Sequence, residues 1–367
     1  MERKDYDMSK AVVLRAAAVV LVFAAGAANV RADTRGRTLA VTMTNDPTEN
    51  RINVYDADTH QLLQTLATQG KGGVGGNARG VRQYADALVA VVNNGSSTVA
   101  VFRRNGDSLK FDRLVTTTSA PVSLDFGNDH LYVAGATTVD SFALNGNTVG
   151  FLDGTAALEL VGGGVPPNGS TAQVGVINDS QIIVTLKTDP DPGTVDLFAL
   201  HDGSVSGATP SVVSAPPGTL TPFGFAVYED GTALMTLAHS SQDGLFRDGS
   251  FTAVVAAGQT APCWMTRVGK YVFTANTGSG SVSRLIGTGN HVFVDSQVAA
   301  SIATGGSPAD IDAAGGVLGV IDHIAGQSHL SLFKYNEFGE LTAAGSPITV
   351  GVASANGVAI IPPRDQN

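Results

Sequence analysis

Apolar and polar residues alternate along most of this chain in short runs, the period of a half-buried strand. One run recurs seven times: Ile52-Asn-Val-Tyr55, Val99-Ala-Val-Phe102, Val139-Asp-Ser-Phe142, Val195-Asp-Leu-Phe198, Asp243-Gly-Leu-Phe246, Val282-Ser-Arg-Leu285 and Leu330-Ser-Leu-Phe333. Its last residue returns every 39 to 56 residues. A second run precedes each copy, as in Leu39-Ala-Val-Thr-Met, Leu88-Val-Ala-Val-Val, Ile182-Ile-Val-Thr-Leu and Tyr271-Val-Phe-Thr-Ala. Turn-rich joints such as 93–97 (Asn-Asn-Gly-Ser-Ser) make the two a hairpin. A third run comes earlier still: Pro121-Val-Ser-Leu, Pro222-Phe-Gly-Phe, Pro262-Cys-Trp-Met and Pro308-Ala-Asp-Ile, with looser copies at Ala78 and Ala172. Proline suits the first residue of a strand, where no ladder donor is lost. A fourth run follows each aromatic one, as from Gln61 to Leu66 and from Leu341 to Val350.

Four strands in about 46 residues is the unit of a propeller blade. Seven units predict an all-β, seven-bladed β-propeller spanning residues 33–367 as one domain. The first repeat has no inner strand of its own. The chain instead finishes with an orphan run, from Ser354 to Ile361. Pairing that run with the first repeat closes the ring and leaves no free inner edge.

The first 32 residues break the pattern. Arg3, Lys4, Lys10 and Arg15 precede an apolar stretch from Ala16 to Ala25, and Val30-Arg31-Ala32 follows. This is the layout of a secretory signal with a small residue at the cleavage site, and the apolar run is short for a membrane span. The expected mature chain starts at Asp33, is secreted or periplasmic, and is free of the membrane after cleavage. Met8 is an alternative initiator.

Bulk properties narrow the function. The formal net charge is −10, and no Lys/Arg run exceeds Arg103-Arg104, so a phosphate backbone is a poor partner. Gly is abundant, at 44 residues, as many turns require. Cys263 is the single cysteine, which excludes an intramolecular disulfide; a buried, inert thiol is its default. The run Gly70-Lys-Gly-Gly-Val-Gly-Gly76 lacks the Lys-Ser/Thr ending and helix of a phosphate loop and reads as a flexible connection between blades. Asp189-Pro-Asp-Pro192 reads as a Pro-fixed turn rather than a calcium loop. Asn94, Asn168 and Asn178 stand in Asn-x-Ser sequons.

The segment Lys270-Tyr-Val-Phe-Thr-Ala-Asn-Thr-Gly-Ser-Gly-Ser-Val-Ser283 resembles the repeat of YVTN-type propellers. With Gln259-Thr-Ala-Pro-Cys-Trp-Met and the blade spacing, the chain is similar to the lactonase-type propeller family. That resemblance implies a seven-bladed propeller and an activity like that of 6-phosphogluconolactonases or carboxymuconate cyclases. Members carry a Gly-Pro-Arg-His-like start on an inner strand; this chain reads Leu220-Thr-Pro-Phe-Gly-Phe there, without the Arg-His pair.

Propeller sites gather at one mouth of the central channel, reached by loops that enter inner strands and leave second strands. Residues outside the repeat are the candidates there. His239, His323 and Asp322 form the candidate catalytic set, because lactone opening needs a base that titrates near neutral pH. Arg79 and Lys187 would hold a carboxylate or a developing oxyanion. Asp310 would orient a histidine or hold a cation, and Trp264 would wall a ring substrate. Asn93 and Asn276, with Asn45, recur at similar positions, and there the turn-forming role of Asn competes with substrate binding. The histidines have a plain alternative as solvent-facing loop residues.

Three functions stay open: a lactone hydrolase or muconate-cyclase-like enzyme, a non-catalytic propeller binding a small ligand or protein, and a DNA-binding propeller, which the charge disfavours. The expected partner is a small lactone or carboxylate, with no nucleic acid, no cofactor and no metal, and the expected state is a monomer.

Overall fold

The computed structural model describes residues 36–160, 169–187 and 192–364. The predicted signal segment, the start at Asp33, Met8, the Asn168 sequon and residues 189–191 of the Asp-Pro run lie outside the described residues. Among the described residues the chain forms seven antiparallel sheets and, besides them, two short 3-10 turns.

Blade 1 orders its strands Asn356–Ile361, Leu39–Met43, Arg51–Asp56 and Leu62–Ala67. Blades 2 to 6 each take four consecutive strands, running inner to outer. Their inner strands are Val81–Tyr84, Pro121–Gly127, Thr171–Asn178, Pro222–Val227 and Pro262–Val268. Blade 7 starts at Ser307–Ala314, and its outer strand is split into Leu341–Ala343 and Ile348–Thr349, both on Gln327–Tyr335.

Closure follows the predicted complementarity. Val41 pairs with Ala359 and Leu39 with Ile361, so the last strand supplies the first blade's inner edge. Every residue of Asn356–Ile361 is buried.

The core lies between blades rather than within them. The seventh-fold aromatic or leucine position is buried throughout: Tyr55, Phe102, Phe142, Phe198, Phe246, Leu285 and Phe333. Phe246 packs with Ile183 and Val195 of the preceding blade, and its neighbour Leu245 packs with Met265 and Val272 of the following one. Alternation thus gives each middle strand two apolar faces, as a sheet sandwiched on both sides requires.

The glycine run 70–76 packs closely over the rim. A Cβ on Gly70 would sit 2.4 Å from the Asn93 side chain, and one on Gly72 2.4 Å from the Asn45 backbone. Close approach, rather than flexibility, explains these two glycines.

Candidate active site

Each inner strand is the edge of its blade, so its channel-side N–H groups need partners. Side chains from the preceding blade supply several. Ser123 Oγ accepts from Val174 N (3.1 Å) and Asp125 Oδ2 from Val176 N (3.0 Å). Gln173 clasps the Phe225 backbone at 2.9 and 2.8 Å. Asp310 and Asp312 accept from Val358 N (3.3 Å) and Ile360 N (2.9 Å) of the closing strand.

Two guanidiniums enter this frame from blade 2. Arg82 Nη2 stands 3.0 Å from Asp125 and Nη1 3.6 Å from Asp312, so one side chain ties blades 2, 3 and 7. Arg79 Nη1 lies 3.5 Å from Asp125, and its Nη2 donates to Phe225 O (3.2 Å). Burial pulls Arg79 down to about 10, with Arg82 adding and the acids opposing. For Arg82, burial also lowers the value, but Asp125 and Asp312 outweigh it and hold it above the ordinary one. Burial pushes the Asp310 carboxyl up to about 7, against the Ile311 and Val358 N–H groups and Arg79.

Beside this lattice lies a cavity of about 410 Å³, lined by Arg79, Arg82, Asp125, Asp312, Thr266 and Arg267 among others. Gln83, Phe126, Val227 and Ala313 also line it, all late in their inner strands. The cavity therefore opens where inner strands finish, opposite to the mouth on which sequence reasoning centred.

The entry mouth is bridged instead. Asn77 Nδ2 donates to Val122 O (2.7 Å), Asn356 Nδ2 donates to Asn77 Oδ1 (2.7 Å), and Trp264 Nε1 donates to Asn77 O (2.7 Å). Lys187 reaches across to the carbonyl of Gly76 and lies 5.5 Å from the Phe223 ring centre, which meets Trp264 edge-on. Burial lowers Lys187 to about 8. The Cys263 thiol is pushed up to about 11 by burial, which keeps it protonated and unreactive at neutral pH. Asn77 escaped the sequence reading, because an Asn ending a glycine run looks like one more turn former.

Of the residues singled out, Arg79 and Asp310 belong to the channel lattice, with Trp264 and Lys187 at its bridged end. The others lie elsewhere. Strand pairing makes Asn93, Asn276 and Asp322 equivalent and each is fully buried; the first two end their second strands, and Asp322 lies two residues before the end of Val317–Ile324. Asn93 bonds Thr68, and Asp322 accepts from Thr304 Oγ1 at 2.5 Å. Asn45 and His323 stand one residue later and latch a neighbouring segment: Asn45 to Val74 O (2.7 Å), His323 Nε2 to Ala355 O (2.7 Å). His239 is exposed on a 3-10 turn, Ala238–Ser240, that matches Asn94–Ser96, so its counterpart is Gly95.

Solved structures share this architecture. The periplasmic gluconolactonase of Pseudomonas aeruginosa superposes with a TM-score of 0.64 at 16% identity, covering 89% of this chain and 99% of that one. The fold is that of the lactonase-type seven-bladed propellers. A candidate 6-phosphogluconolactonase of Bacteroides uniformis gives 0.65 at 14%, covering 89% of this chain and all of that one. Virginiamycin B lyase of Staphylococcus aureus gives 0.52 at 14%, over 82% and 93% of the two chains. No family model matches the sequence, nor does any curated protein. Among the described residues no helix is long and apolar enough to cross a membrane, and no group of three or more His, Cys, Asp or Glu is placed to hold a metal.

Proposed function

We propose that the protein is an exported hydrolase of small lactones, working in the arginine-lined channel cavity. The observation that carries this reading is the convergence of Arg79, Arg82 and Arg267 on one polar cavity that Asp125 and Asp312 also line. Guanidinium donors fixed in a partly dry site favour a carboxylate or the oxyanion of a tetrahedral intermediate. Asp310, buried two residues before the cavity-lining Asp312 and electrostatically linked to Arg79, is raised by burial to about 7 and is assigned the general base, reaching the cavity through an intervening water. Asp125 and Asp312 are each engaged by Arg82 and by a strand N–H group. The solved lactonase-type neighbours support the substrate class.

Acid release from a panel of sugar, aliphatic and aromatic lactones, followed by pH-stat, tests this. Turnover is expected to rise with pH through about 7, as Asp310 loses its proton. Asp310→Asn should cost roughly 10²-fold or more in kcat, and Arg79→Gln a comparable factor in kcat/KM. No acid release from any lactone would replace this reading with a non-catalytic binding propeller. One observation already favours that second reading: the channel carboxylates all have strand N–H or arginine partners.

Export rests on the basic, apolar and small-residue layout of residues 1–32. N-terminal sequencing of protein recovered outside the cytoplasm should begin at Asp33; a retained Met1 or Met8 would refute cleavage.

A further inference from the structure

The seven blades repeat one pairing: Met43 with Ile52, Val92 with Val99, Ala134 with Val139, Thr185 with Val195, Thr236 with Asp243, Ala275 with Val282 and Ile321 with Leu330. Six blades place an aliphatic residue on the third strand. Blade 5 alone places a carboxylate.

Asp243 has no solvent exposure. Both of its oxygens lack a hydrogen-bond partner, the one buried carboxylate among the described residues of which this holds. A buried carboxylate without a partner is among the costliest groups a core can hold while ionised, and burial alone pushes Asp243 up to about 8.

Its surroundings depart from the repeat in the same sense. Thr236, opposite Asp243, bonds Cys263 O of blade 6, and Leu234 and Leu245 pack on Val272 and Leu285 of that blade. The face bearing Asp243 therefore meets the face bearing Val272, Thr274 and Asn276. Thr274 stands where blades 2, 3, 4, 5 and 7 carry Val91, Val133, Val184, Met235 and Val320; blade 1 has Thr42. The Thr274 hydroxyl lacks a partner, as Thr42 Oγ1 does at the same position of blade 1, and so does Asn276 Oδ1. In blade 2 the equivalent Asn93 Oδ1 accepts from Asn50 and Thr68. The Asn276 amide nitrogen is turned away onto Ser281 and Ser283, at 3.2 Å each.

The interface thus holds four unpartnered oxygens: two from Asp243, one from Thr274 and one from Asn276. None bonds another. Carboxylate, hydroxyl and amide oxygens are hard ligands, suited to alkali and alkaline-earth cations. One carboxylate is neutralised by one positive charge; a divalent ion would leave a net buried charge.

We propose that blades 5 and 6 are joined by a bound alkali-metal cation, Na⁺ or K⁺, held by Asp243, Thr274 and Asn276. The site is separate from the channel and independent of lactone hydrolysis. A ligand that binds only the folded state raises stability with its concentration.

The test is thermal unfolding of the purified protein in NaCl, KCl or choline chloride at one ionic strength. Na⁺ or K⁺ should raise Tm over choline by about 2–4 °C, and the rise should grow with cation concentration. Asp243→Val, which restores the residue type of the other blades, should remove the response, and Thr274→Val should weaken it. Equal Tm in all three salts would overturn the proposal, as would an unchanged response in the Asp243→Val protein. Stabilisation by Ca²⁺ alone would also overturn it, in favour of a divalent site. Should Asp243→Val fail to fold, the wild-type comparison still decides.

Discussion

A side chain's position on the repeat does not reveal whether it faces the channel or a neighbouring blade. Asp322 and Asp310 show this well. Both are acids near an end of an inner or second strand, yet Asp322 locks the Thr304 connection while Asp310 sits in the arginine lattice. The two candidate histidines divide similarly: His323 is a latch on Ala355, and His239 is exposed on its turn. Alanine at either should leave lactone turnover essentially unchanged, since neither lines the cavity. His323→Ala should cost about 1 kcal/mol of stability, measured by urea unfolding. A large loss of kcat in either variant would move the active site to the bridged mouth.

Among elements, the closing strand matters most. Asn356–Ile361 gives the first blade its inner edge, and its Val358 and Ile360 N–H groups are the ones that Asp310 and Asp312 accept. Deletion of residues 353–367 should therefore abolish soluble folding, because it exposes the Leu39–Met43 edge and strands both channel acids. A soluble, cooperatively unfolding truncation would argue against strand-exchange closure. The repeat itself made this element visible: an orphan inner strand at one end matches a missing one at the other. The Asn77 bridge was invisible by the same reasoning, because its partners Val122, Trp264 and Asn356 come from three different blades.

For the whole molecule, buried acids couple stability to pH. Burial raises Asp196 to about 7, with the Glu159 N–H opposing and the Glu159 charge adding; Asp310 is also near 7. A folded-state value above the unfolded one means that the native state binds more protons between the two. Stability is then complete below the ordinary carboxylate range and declines as pH rises from about 4 toward about 7. Asp196→Asn keeps the shape and removes the titration, so its Tm should fall less than that of wild type between pH 5 and pH 8. A parallel decline in both proteins would exclude Asp196 as a contributor.

The sequence by itself determined the class of fold, the blade count, the order of strands and the closing strand. These rest on local alternation and on a repeat read without knowing any contact. It also held, unread, the exception at Asp243, written among seven copies of one motif. Only the tertiary structure decided which polar residues share a space. Arg82 meets Asp125 and Asp312 across three blades, and Lys187 meets Gly76 across the mouth. Such meetings depend on how the ring curves and on which face of each strand turns inward, and residues so far apart in the chain carry no local signal of either.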